Sequence, residues 1–140
     1  MTELILLGSL YKHAVFAIVA GGIIGIERER KHKSAGLKTN IFICLGAMLF
    51  TVIAGLVSDY GHILGQIIPG IGFLGAGAIL RPTVDKVSGL TTASIAWLVA
   101  GLGMLVGLDH GPVAVGLSIL IVGLTTSIGW IERRVRAPRT

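Results

Sequence analysis

The charged and amide side chains of this sequence are few, and most of them stand at the edges of long apolar runs. Glu27 and Arg28 follow directly on the apolar run 14–26. A carboxylate at such a depth is costly unless paired. Glu27 therefore binds a cation, fixes a helix contact, or pairs with Lys31 one helical turn further on, while Arg28 can pair with a neighbouring helix. Thr91 and Thr92 either bond back to their own helix, the favoured reading, or line a polar seam. Lys38, Thr39 and Asn40 open an apolar run in which Thr39 or Asn40 can serve as N-cap. Gln66 lies three residues before Pro69, whose missing N–H frees the carbonyl of Gly65. Freed carbonyls beside an amide form either an ion or water site or, as favoured here, a plain kink satisfied by neighbouring helices. Two short polar stretches hold Asp59 with His62 and Asp109 with His110. Brought together, the carboxylates suit Mg²⁺, whereas added imidazoles favour zinc or other transition metals. Solvated loops often contain Asp and His, so these four are weak metal candidates.

One pattern is a decoy. Gly70-Ile71-Gly72-Phe73-Leu74-Gly75 matches the dinucleotide fingerprint, which works only between a strand and a helix with the phosphate in water. Here it lies inside an apolar block, where it reads as a helix face for close approach, extended by Gly77. Gly21 with Gly25, and Gly103 with Gly107, repeat the small-xxx-small spacing in other blocks. No Ser/His/Asp set shares a face, no paired carboxylates lie within the apolar runs, and no zinc spacing occurs. The expectation is that the protein is not an enzyme.

The elements that must position these residues are membrane helices. Of 140 residues, 53% are hydrophobic and only 14% charged, against about a quarter charged in soluble domains; mean hydropathy is +0.86. The 21 glycines sit within apolar blocks, as in membrane helices that pack closely. With no linker or shift in composition, residues 1–140 read as a single domain. A spanning helix needs about 20 mainly apolar residues, and runs 37–57, 63–80, 87–108 and 113–131 meet this. Run 14–26 is shorter and needs the apolar residues before it. One tilted helix from about Leu6 to Ile26 is favoured, with Lys12 reaching outward along its stem; the alternative lays residues 3–10 along the interface. The expected fold is all-α, a bundle of five transmembrane helices.

Every Lys and Arg except Lys12 falls after the first run, after the third, or after the fifth. The positive-inside rule then places the N-terminus outside and the C-terminus in the cytoplasm. This placement also explains the net charge of +5: it orients the chain and meets anionic lipid rather than nucleic acid. The positive cluster following residue 26, rather than preceding the run, argues against a cleaved signal peptide. Cys44, the only cysteine, leaves no internal disulfide. Trp130 suits an interfacial belt, whereas Trp97, mid-run, needs an acceptor for its N–H and is expected at a helix–helix contact.

Three blocks carry a family resemblance. Residues 21–29 (GGIIGIERE) with 34–40 (SAGLKTN), residues 70–80 (GIGFLGAGAIL), and residues 89–94 (GLTTAS) with Trp97 together resemble the MgtC/SapB family. Lys38 and Asn40 stand where that family usually has Arg and His, and Pro69 is unusual for it. The chain resembles the short, membrane-only members that lack a soluble C-terminal domain. The resemblance implies a bacterial inner-membrane protein linked to magnesium homeostasis and, in some pathogens, to survival in host cells. It also implies a regulatory role through contact with the membrane sector of ATP synthase. The competing expectation is a permease for Mg²⁺ or another cation, for which a five-helix bundle would need to oligomerise. A purely structural subunit of a larger complex is a third. No cofactor is expected beyond a Mg²⁺ ion that the residues do not specify; the expected partners are the lipid bilayer and a second copy or another membrane protein.

Overall fold

A computed structural model describes residues 2–57, 60–79 and 88–136. All elements among them are helices: α1 (Thr2–Arg30), α2 (Leu37–Gly55), α3 (Tyr60–Ile79), α4 (Leu90–Gly107) and α5 (Gly111–Arg136). Each is long and apolar enough to cross a membrane, and the five-helix expectation holds. α1 is one unbroken helix, and α5 runs five residues past the apolar run that announced it. α3 continues through Pro69.

Helices α1, α2 and α4 touch one another pairwise and form the centre; α3 packs on α2 and α4, and α5 on α1 and α4. Burial follows this plan: 44% of the apolar stretch of α4 is buried, against 11% for α3 and α5. The centre is built from small or flexible side chains, including Ala17, Ala20, Cys44, Ala47, Met48, Val99 and Ala100. In lipid, apolar surface gains little by leaving the tails, so helices associate through close packing. Gly21 sets α1 on α2: a Cβ there would lie 2.7 Å from the Asn40 carbonyl oxygen and 2.9 Å from the Ile41 Cα. Gly25 does the same against the Leu37 Cα at 2.8 Å. Gly103 and Gly107 bring α4 onto α2, where added Cβ atoms would meet the Ala47 Cβ at 2.9 Å and the Met48 carbonyl at 2.9 Å. Gly75 faces Ala93 on α4, whereas Gly70, Gly72 and Gly77 face open space.

Two helices end on residues in the left-handed region without glycine, His32 (φ 51°) and Asp109 (φ 67°). At α1, the His32 and Lys33 N–H groups donate to the carbonyls of Glu29 and Arg28; at α4, those of Asp109 and His110 donate to Val106 and Leu105. Both are Schellman closures, which satisfy the last carbonyls of a helix.

The α4 closure also fixes Lys12. Its ammonium donates to an Asp109 carboxylate oxygen at 2.9 Å, and the buried His13 lies 3.3 Å from the same oxygen. Lys12 therefore stands level with the α4–α5 turn, at the end of the bundle. The hydrogen bond and charge of Lys12, with a smaller contribution from His13, hold the Asp109 carboxyl below its usual range. A depressed folded value means that the pair stabilises at neutral pH and that this contribution disappears as pH falls through it. Asp109→Asn keeps a residue that tolerates the left-handed region but cannot ionise. Thermal melts in neutral detergent are expected to show a steeper acid-side loss for wild type than for Asp109→Asn. Parallel curves would rule the pair out as a stabilising contact.

Candidate functional site

Polar contacts concentrate at one end of the bundle, where α1 finishes and α2 and α4 begin. The Glu27 carboxylate, nearly buried, pairs with Lys31 one turn on and lies 4.0 Å from an Arg28 guanidinium nitrogen. Thr125 on α5 approaches the same carboxylate at 3.5 Å, and Lys31 donates to the Thr126 hydroxyl at 3.3 Å. Glu27 is thus committed to ties between α1 and α5 and is already matched by cations of its own chain.

Arg28 turns the other way. It is 3% exposed, and its Nη2 donates to the Thr92 hydroxyl at 3.3 Å. Ser34 donates to the same hydroxyl oxygen at 3.4 Å. Thr92 therefore joins a polar seam and does not bond back to its own helix, the reading favoured by sequence, because the end of α1 supplies better-placed donors. Thr91 is exposed at the rim of the seam.

The start of α2 also departs from expectation. The helix begins at Leu37 with Gly36 as N-cap and no capping side chain there, so neither Thr39 nor Asn40 caps it. A carboxylate from α1 takes over: the Leu37 N–H donates to Glu29 at 2.9 Å, a favourable place for negative charge. Asn40, fully buried, reaches back instead, its Nδ2 donating to the carbonyls of Ala35 (2.9 Å) and Gly36 (2.8 Å). Lys38 is exposed.

The remaining candidates do not join this cluster. Thr39, His62, Gln66 and Gly70 line an open apolar groove of about 710 Å³ between α2 and α3, with Phe42 and Phe50 on its α2 wall. Gln66 thus faces outward from the bundle. Trp97 is 53% exposed and edges a second groove between α3 and α4 beside Gly72 and Gly75. The buried helix contact expected for it is not found, because the face of α4 that meets α2 is the glycine face and Trp97 lies off it. Asp59 lies outside the described residues. Asp109 is taken by Lys12 and His13, and His110 is exposed. Among the described residues no three His, Cys, Asp or Glu side chains come together as metal ligands.

Sequence reasoning passed over Glu29, Ser34, Lys33 and Gly89. Gly89 had a signal: it stands near the start of the apolar run 87–108 and heads the block 89–94, with no Ser, Thr, Asp or Asn at its own position to cap the helix. It adopts φ 92°, and a Cβ there would run into the Ala78 carbonyl of α3. The others act only because the chain folds back between α1 and α2, which residue spacing does not show.

The MgtC family profile matches residues 15–134. The chain is 34% identical to protein SapB of Bacillus subtilis over 134 residues, 88% of this chain and 58% of that protein. It is 38% identical to protein MgtC of Salmonella typhimurium over 124 residues, covering 87% and 53%, and 40% identical to protein MgtC of Brucella abortus over 114 residues, covering 77% and 48%. The chain thus spans about half of the length of these relatives. No solved structure matches it.

Proposed function

Because this chain belongs to the MgtC family, we propose that it is a bacterial inner-membrane protein of magnesium homeostasis and stress adaptation, acting as a regulator through helix contacts with a membrane partner. The partner is a second copy of the chain or another membrane protein, of which the membrane sector of ATP synthase is the one implied by the family resemblance. The basic end, with the termini of α1 and α5, faces the cytoplasm by the positive-inside rule.

The observation that carries this reading is where polarity and apolar surface lie. Inside the described bundle, Thr51 and Ser118 donate to carbonyls of their own helices, and Asn40 to the turn before its own. The donors of these groups are spent locally, only the Asn40 Oδ1 among them being buried without a partner, and they do not converge on a path for a hydrated cation. Glu27 is matched by Lys31 and Arg28. The α2–α3 groove, by contrast, is wide, apolar and open on the outside of the bundle, a shape that accepts a partner helix.

Mg²⁺ uptake into liposomes holding the purified, correctly inserted protein is the test, with Glu27→Gln and Gln66→Leu beside it. The expected result is uptake equal to empty liposomes in all three. Uptake above that level, lost in either variant, would make the protein a permease and overturn the regulatory reading.

A further inference from the structure

We infer that the end of α1 and the start of α4 form a binding site for a phosphate oxyanion. This inference is independent of the regulatory reading. The site is a polar cavity of about 410 Å³ whose lining includes Arg28, Lys33, Ser34, Gly89, Thr91 and Thr92. Three observations point to an anion.

The first is the helix terminus. α4 is 18 residues long, begins at Leu90 after Gly89, and has neither a capping side chain nor an acidic residue in its first turn. The first N–H groups of a helix have no intrahelical partner and carry the positive end of its dipole. Gly89, the residue before them, lines the cavity, as do Leu90, Thr91 and Thr92.

The second is Arg28. It lines this cavity at 3% exposure, and its buried Nε–H has no acceptor among the described residues. A buried guanidinium whose charge and N–H groups are incompletely matched is costly, and an oxyanion in the cavity beside it would compensate that charge. Its one charged neighbour among the described contacts, Glu27, stands 4.0 Å off and is shared with Lys31. Among the described residues that line the cavity, the ones charged at neutral pH are Arg28 and Lys33, both cations.

The third is the direction of the hydroxyl bonds. Arg28 and Ser34 both donate to the Thr92 oxygen, which leaves the Thr92 proton free to be donated in turn. With Thr91 at the rim, the wall offers guanidinium, ammonium, hydroxyl and helix N–H donors from several directions. That set fits the tetrahedral, multiply charged oxygens of phosphate better than a planar carboxylate or a halide.

Phosphate reaches this end of the bundle from two sources, free phosphate and the headgroup of an anionic lipid, and the test separates them. Delipidated full-length protein in neutral detergent is titrated calorimetrically with inorganic phosphate and, separately, with short-chain phosphatidic acid. Binding of at least one probe is expected, and the tighter one names the source. Arg28→Gln is expected to weaken it about tenfold, the loss of one charge-assisted bond. Lys33→Gln and Thr91→Val, both at exposed positions, are expected to weaken it several-fold, and Arg133→Gln on α5 not at all. If Arg28→Gln fails to fold, the two exposed variants decide. Binding of neither probe overturns the site, as does binding that the cavity variants leave unchanged or that Arg133→Gln weakens equally, which would be attraction to a basic surface.

Discussion

Replacing Gly103 by alanine is expected to cost the bundle about 3 kcal/mol, at the upper end of overpacking penalties. The added Cβ would run into the Cys44 carbonyl oxygen of α2 and lie 2.9 Å from the Ala47 Cβ. These are backbone and Cβ atoms with no rotamer to move, so α2 and α4 must separate. In lipid, separation forfeits the dispersion contacts that hold the helices together. α4 touches each of the other four helices, so the disturbance spreads through the bundle. Gly101 on the same helix is the matched control: nothing lies within 4 Å of a Cβ there, and Gly101→Ala is expected to change stability little. Thermal unfolding in one detergent distinguishes them. Equal midpoints for the two variants would show that the α2–α4 approach is not limited by glycine.

Asn40→Asp is expected to have an effect of similar size for an electrostatic reason. The Asn40 amide group is fully buried and donates to two carbonyl oxygens, of Ala35 and Gly36. An ionised carboxylate in its place has no proton to donate and faces those oxygens with like partial charge. The expected loss is about 3 kcal/mol at neutral pH. Burial and repulsion raise the carboxyl of the variant above its unfolded value. Stability is therefore recovered at low pH, where the protonated acid donates again, and is lost as pH rises through the folded value. Asn40→Ala, which removes both side-chain bonds without adding charge and leaves the Gly36 carbonyl oxygen with only the residue 40 backbone N–H, is expected to fall between wild type and Asn40→Asp, with no such pH dependence. Coincident pH profiles for the two variants would refute this account.

These two positions also mark what the sequence discloses. Five spans were legible because lipid demands about 20 apolar residues per crossing, a constraint that acts on each segment by itself. The spacing of Gly103 and Gly107 marked a close approach, but not which helix approaches; Gly70, Gly72 and Gly77 carry a similar pattern and meet nothing in the described chain. Asn40 and Thr92 were visible as polar residues at helix starts. Their roles were misread because local rules assign such residues to capping and back-bonding, whereas here the partners come from residues 28–36, folded across the ends of α2 and α4. Trp97 was misplaced for a related reason: depth along a helix is readable from its position in the run, but the direction it faces depends on which face the neighbours take.

The ion pair between Lys12 and Asp109 fixes one polar boundary of α1, and Arg28 with its Thr92 seam fixes the other. The rise between Lys12 and Arg28 is about 24 Å at 1.5 Å per residue. α2 and α4, with 19 and 18 residues, rise only about 28 and 27 Å. A typical hydrocarbon core is about 30 Å thick. Around α1, α2 and α4 the apolar belt is therefore narrower than such a core, while the 20- and 25-residue spans of α3 and α5 are long enough for it, and lipids beside the shorter helices must shorten to meet them. That mismatch favours thin, short-chained or unsaturated surroundings and draws copies together where the bilayer is thick, since sharing a deformed annulus is cheaper than maintaining two.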